Sequence, residues 1–177
     1  MSIKLHIGGK EPHPDWKIFD VEPRPEVDFV GDAISLDQFA DNSIAAIYAS
    51  HILEHFHYNF NDELEKALTE WHRVLEPSGK LYLSVPNLHV LCWLYINPNL
   101  NTSDRYEIMR MMFGGQVNQY DIHRVGFDFD FLCYHLELAG FETCEAVPQF
   151  GIFNDCSNLN VMGTLISLNV IATAATI

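Results

Sequence analysis

The chain has 177 residues, 48% of them hydrophobic and 19% charged, a composition that fits one globular domain and excludes a disordered or collagen-like chain. Ten Lys and Arg against 24 Asp and Glu give a formal charge of −14, a field that repels phosphate backbones and anionic membranes and so disfavours both as partners. The four cysteines, Cys92, Cys133, Cys144 and Cys156, form no C-x-x-C pair and are too sparse for a disulfide scaffold. They are expected to be reduced core residues, and a cytoplasmic setting follows from that and from an N-terminus without a long apolar stretch.

In chain order, Lys4 to Ile7 is a short apolar run ending at Gly8-Gly9, and Trp16 to Val21 is a second. Val27 to Val30, closed by Gly31-Asp32, is a third strand candidate, and Ile44 to Ala49, preceded by Asp41-Asn42-Ser43, is a fourth. Pro12 and Pro14 leave room for only a loop or a single turn between the first two strands. From Asn61 to Leu75 the residues Leu64, Ala67, Leu68, Trp71, Val74 and Leu75 recur at helical spacing, with Asn61 or Asp62 as cap and Pro77-Ser78-Gly79 as stop. Lys80 to Val85 reads as a fifth strand covered on both faces.

Residues 88–127 are the least regular part, with one helix expected from Ser103 or Asp104 to Phe113, ended by Gly114-Gly115. A helix over Phe129 to Leu138 ends at Gly140, and Thr143 to Val147 and Leu165 to Ala172 supply two last strands. The uncharged stretches 81–103 and 157–177 are broken by prolines, asparagines and Gly163, so they read as buried strands with loops and not as membrane spans. This alternation predicts an α/β fold with a mostly parallel sheet, whose ligand site lies at the carboxyl ends of the strands.

Those ends carry chemistry in an ordered set. Gly8 and Gly9 offer bare backbone, Asp20 a carboxylate able to accept hydrogen bonds from both hydroxyls of a ribose, and Asp32 a carboxylate able to accept from an exocyclic amine. Lys10 is the one basic residue offered there, so the crevice suits a nucleoside better than a polyphosphate.

Leu5-His6-Ile7-Gly8-Gly9, Ile18-Phe19-Asp20, Gly31-Asp32-Ala33 and the run from Ile47 through Ser50-His51-Ile52-Leu53-Glu54-His55-Phe56 resemble motifs of class I S-adenosylmethionine-dependent methyltransferases. So do Arg73-Val74-Leu75-Glu76-Pro77-Ser78-Gly79-Lys80-Leu81, Ser84-Val85-Pro86-Asn87, and the tail Leu136 to Glu142. The closest resemblance is to the type 11 group, in a form with a shortened first crossover. It implies a Rossmann-like seven-stranded sheet with helices on both faces and a last antiparallel strand, in a single domain over 1–177 with 88–127 as a lid or acceptor-binding insertion. The cofactor implied is S-adenosyl-L-methionine. Gly8 and Gly9 would face its methionine part, Asp20 with Val21 its ribose, Asp32 with Ala33 its adenine, and Ser50 and His51 would lie beside it.

The acceptor is expected to be a small molecule, and a homodimer is open. The aromatic and methionine-rich stretch holding Trp93, Tyr95, Met109, Met111, Met112, Phe113 and Tyr120 either roofs an acceptor pocket or is core. Should the acceptor need to lose a proton, His55 and His123 are the candidate bases, with imidazoles that would titrate near neutral pH. Two alternatives stand beside this reading. One is a non-catalytic donor-binding or dimerising module of the same fold. The other is a zinc hydrolase, because His51 to His55 spells H-x-x-E-H with Glu54 as base. No third ligand presents itself among Glu63, Glu65, Glu70 or Glu76, so no metal is expected.

Overall fold

The computed structural model describes residues 2–175. Five parallel strands come first in the chain: β1 (Ile3–Ile7), β2 (Lys17–Asp20), β3 (Phe29–Val30), β4 (Ile44–Ser50) and β5 (Leu75–Pro86). Later come β6 (Phe141–Ala146), the small hairpin β7 (Asn160–Val161) and β8 (Thr164–Leu165), and β9 (Ser167–Ala174). The main sheet has seven strands in the order β3-β2-β1-β4-β5-β9-β6, with β9 antiparallel to both neighbours.

Side chains two apart on a strand share a face. Leu5 and Ile7 on β1, Ile47 and Ala49 on β4, Leu81, Leu83 and Val85 on β5, and Leu168, Val170 and Ala172 on β9 therefore form one continuous apolar face. It is covered by α1 (Glu63–Val74), whose Leu64, Ala67, Leu68, Trp71 and Val74 point inward, and by α4 (Phe129–Leu138) through Leu132 and Leu136.

The opposite face is finished differently. No helix joins β1 to β2, as the two prolines require, and Trp16, Ala46, Tyr48 and Tyr82 pack beneath Phe150, Ile152 and Phe153 from the loop after β6. The buried Tyr48 hydroxyl donates to Asp155 Oδ2 at 2.9 Å, which fixes that loop and satisfies a polar group that burial would otherwise penalise.

Expected and observed elements agree along the sheet and differ in three places. Leu88–Tyr95, expected to be irregular, is a helix, α2, capped by the Asn87 side chain, which accepts from the Val90 N–H at 3.2 Å. Its residues are apolar almost all round, so no helical period was there to read. It packs on α3 (Thr102–Phe113) around Leu91, Leu94, Ile108 and Ile166, a satellite core away from the main sheet. Pro77-Ser78-Gly79 lies inside β5, where the register against β4 shifts, and α1 stops earlier, at Val74.

The third difference concerns the cysteines. Cys133 on α4 and Cys144 on β6 form a disulfide, with α-carbons 5.8 Å apart, and Cys92 and Cys156 are exposed, so the expectation of four reduced core thiols fails. The tight turn at Gly140 folds β6 back along α4 and brings the two residues face to face, which spacing alone does not announce. Alkylation followed by mass measurement is expected to label two of the four cysteines until reductant is added. Cys133→Ser should lower unfolding free energy by about 2 kcal/mol, through the loop-closure entropy restored to the unfolded chain. Among the described residues, no helix is long and apolar enough to cross a membrane.

Candidate functional site

Because β3, β2, β1 and β4 are adjacent and parallel, their carboxyl ends fall along one edge in the order Asp32, Asp20, Gly8, Ser50. Ile7 pairs with both Phe19 and Ala49, and Asp20 with Val30, so these tips are level. Backbone bonds stitch them together: the Gly8 N–H donates to the Phe19 carbonyl at 2.8 Å, and the Gly31 N–H to the Asp20 carbonyl at 3.0 Å. Gly8 has φ +72°, where a side chain is strained, and a Cβ there would overlap the Ile52 side chain.

The other residues expected at the donor site also lie at or beside this edge. Asp20 Oδ1 accepts from the Glu22 N–H at 2.8 Å, and its Oδ2 is held by Arg24 Nη2 at 3.0 Å. The same Arg24 nitrogen donates to the Gly9 carbonyl at 2.8 Å, so one guanidinium spans the gap between the first two tips. The Val21 side chain is exposed. Asp32 is exposed, with Oδ1 accepting from the Ile34 N–H at 3.0 Å, while the Ala33 carbonyl accepts from Trp71 Nε1 at 2.8 Å. Ser50 Oγ is buried without a hydrogen-bond partner, and the His51 N–H donates to the Ser84 carbonyl at 2.8 Å. Open clefts of the surface lie elsewhere, one against Ile34, Asp37, Glu65 and Lys66 and one beside the disulfide. At the tips, Ile52 lies against Gly8, and Arg24 bridges the Gly9 carbonyl and Asp20.

Just beyond β4 the chain makes a single 3-10 turn, Leu53–His55, which buries Glu54 completely with both carboxylate oxygens unpartnered. The Arg124 N–H donates to the Glu54 carbonyl at 2.7 Å, and Arg124 Nη1 to the His55 carbonyl at 2.9 Å, so the segment after α3 is fastened across this turn. His123 arrives that way, its Nε2 3.9 Å from Glu54 Oε1 and its ring 4.9 Å from the His55 ring. His51 Nδ1 stands 3.5 Å from the same oxygen.

Hydrogen bonds fix two of the tautomers. His55 Nδ1 faces the Ile122 carbonyl at 3.1 Å and must carry the proton there, leaving Nε2 as a lone pair. Ser167 spends its proton on the Cys156 carbonyl at 2.7 Å, so His51 Nε2 is the donor in its 2.9 Å contact with Ser167 Oγ, and Nδ1 is the lone pair.

Burial dominates the acid–base behaviour of this group. It pushes the Glu54 carboxyl up to about 8, and pushes His51 down to about 4 with help from the neighbouring His123. His123 is likewise pushed down to about 4 by burial and by His55, and His55 is lowered by burial. His51 and Glu54 are thus not an ion pair at neutral pH, and His123 does not titrate near neutrality as expected, while His55 is shifted in the same direction. The inverted zinc-hydrolase pattern is not formed either, because it needs two histidines on successive turns of a helix and here a three-residue 3-10 turn follows a strand end. A different group forms here: His123, from the far end of the insertion, joins Glu54 and His55, with His51 outside the set.

The family model described as a methyltransferase domain matches residues 17–83. The match begins at β2, so the shortened first crossover falls outside it. Similar solved structures include a SAM-dependent methyltransferase from Archaeoglobus fulgidus, 16% identical, over 97% of this chain and 86% of that one, with a TM-score of 0.58. Others are the CurJ carbon methyltransferase (13% identity, 99% and 49% of the two chains, TM-score 0.58) and the trans-methyltransferase CalH in complex with SAH (15%, 98% and 51%, TM-score 0.56). The chain spans about half the length of the CurJ and CalH chains it matches. No curated protein matches it in sequence. The fold is that of the class I S-adenosylmethionine-dependent methyltransferases, and the resemblance drawn from the strand-end motifs holds.

Proposed function

We propose that this chain is an S-adenosyl-L-methionine-dependent methyltransferase acting on a small-molecule acceptor, as one domain in which 88–127 forms the acceptor side. The observation that carries the reading is the ordered row of tips, bare backbone at Gly8 flanked by Asp20 and Asp32 on one side and Ser50 on the other. Gly8 and Gly9 would take the methionine part, Asp20 with Val21 the ribose, Asp32 with Ala33 the adenine, and Ser50 and His51 the reactive end. The donor, when bound, supplies an electrophilic methyl carbon on a sulfonium, so the residues have chiefly to align the two partners. The net charge of −14 favours a cationic donor and a small or cationic acceptor over nucleic acid or an anionic membrane.

His55 and His123 remain the candidate bases, but burial lowers both imidazoles, that of His123 to about 4, which weakens them as bases. An acceptor already nucleophilic at neutral pH is therefore favoured. The Cys133–Cys144 disulfide favours an oxidising compartment over the cytoplasmic setting expected from the sequence.

The residues fit the donor on condition that two flexible side chains move. The ribose must take Asp20 from Arg24, and Ile52 must swing off Gly8. Calorimetry with S-adenosylmethionine and its demethylated product is expected to show saturable binding of both. Asp20→Ala should weaken it by at least roughly tenfold, the loss of a charge-assisted pair of hydrogen bonds, while Arg24→Ala should tighten it several-fold. Methyl incorporation from labelled donor into a panel of small acceptors then tests turnover. The latched Asp20 and covered Gly8 favour a second reading, a non-catalytic module. Donor binding without turnover would decide for a donor-binding module, and absence of donor binding in both the natural protein and Arg24→Ala for a dimerising one.

A further inference from the structure

Glu54 is the feature that the methyltransferase reading leaves unused. A fully buried carboxyl with two unpartnered oxygens is costly, and such groups normally hold a hydrogen bond, a counter-charge or a metal. What faces it is imidazole. One ligand atom each from Glu54, His55 and His123 lies within 4.8 Å of the others. We propose that these three side chains form a binding site for a first-row divalent metal ion of the zinc class.

Two imidazole nitrogens and one carboxylate oxygen are the donor set that suits zinc and its neighbours, not magnesium or calcium, which ask for oxygen alone. Three protein ligands leave a fourth position open for water or an acceptor atom. Zinc–nitrogen bonds of about 2.0–2.1 Å require tetrahedral donors to stand roughly 3.3 Å apart, so binding draws together three atoms that now lie within 4.8 Å of one another.

Support around the ligands is already built. The Ile122 carbonyl holds His55 through Nδ1 and leaves Nε2 turned out as a lone pair, the arrangement that orients metal-binding histidines elsewhere. Arg124, through its bonds to the Glu54 and His55 carbonyls, clamps the segment that delivers His123. His51 Nδ1, a lone pair 3.5 Å from Glu54 Oε1, flanks the site from the end of β4. The site also explains why a carboxyl is buried there at all, because the ion supplies the counter-charge that the protein does not.

The test uses the untagged full chain, stripped with a chelator and titrated with zinc chloride against a chromogenic competitor. One equivalent is expected to bind and to raise the melting temperature. Glu54→Gln and His123→Ala should each lower affinity by at least roughly tenfold, with unchanged circular dichroism, while His89→Ala, an exposed histidine on α2, should leave it intact. Cobalt chloride serves as an independent measure on the natural protein, where visible bands of a tetrahedral nitrogen and oxygen site are expected. The proposal is overturned by the lack of a stoichiometric site, by zinc affinity indifferent to Glu54→Gln and His123→Ala, or by a thiolate-to-cobalt band placing the ion on Cys92 or Cys156. Donor binding is measured separately and is not required for any of these outcomes.

Discussion

Replacing Trp71 by alanine is expected to cost about 4 kcal/mol of unfolding free energy, the cost of deleting a fully buried aromatic side chain whose neighbours close only partly over the cavity. Trp71 sits on the inward stripe of α1 and meets the Phe56 ring edge-on at 6.4 Å. Its indole N–H donates to the Ala33 carbonyl at 2.8 Å, so the same residue that seals the core also holds the turn after β3. Trp71→Phe separates these roles. It keeps most of the apolar bulk but strips the Ala33 carbonyl of its donor, and should cost about 1–2 kcal/mol. Urea titration gives both values from the shift in midpoint. Trp71→Phe should also weaken donor binding, since Ala33 belongs to the proposed adenine end. A Trp71→Phe midpoint equal to that of the natural protein would mean that the indole does not tie down that turn.

The second large effect depends on pH. His6 is 6% exposed, its ring lies 4.1 Å from the Phe153 ring, its Nδ1 has no partner, and burial pushes its pKa down to about 4. A folded-state value below the unfolded one means that the unfolded chain takes up a proton which the fold refuses. The His6 contribution is therefore fully kept above about 6.5 and lost progressively as pH falls towards 4, where about 3 kcal/mol is gone. His6→Leu, close in volume, removes that dependence. The stability difference between the two proteins should shift by about 3 kcal/mol in favour of the variant between pH 7 and pH 4. Parallel stability curves for the two over that range would show that the ring is solvated or protonated inside the fold.

Strand-end chemistry was legible in the sequence because each tip is marked by a local signal. Gly8-Gly9, Asp20, Gly31-Asp32 and Ser50-His51 each close an apolar run, and parallel neighbours place such ends side by side without any further instruction. What escaped was whatever depends on residues distant in sequence. Arg24 reads as one more charge between prolines, and only the folded turn after β2 lays it across Asp20 and the Gly9 carbonyl. His123 carries its own chemistry in plain view, yet its meeting with Glu54 depends on two helices and a return loop whose lengths nothing local fixes. α2 escaped for the opposite reason, a uniformly apolar surface that carries no period even though Asn87 supplies a sound cap. Cys133 and Cys144 meet through a helix-to-strand turn, which cysteine spacing alone does not encode.

The bridge between Asn87 and Phe127, with the Leu88 N–H donating to the Phe127 carbonyl at 2.8 Å, closes the base of the intervening helical pair, which Arg124 and Ile166 also fasten to the body. Closing a longer or shorter detour at such a junction changes the chain entropy only logarithmically. The helical pair is thus a cassette whose resizing leaves the parallel ladder in register as long as the Arg124 and Ile166 contacts are kept. Since His123 travels with it, each replacement would also decide whether the buried Glu54 keeps that imidazole opposite it.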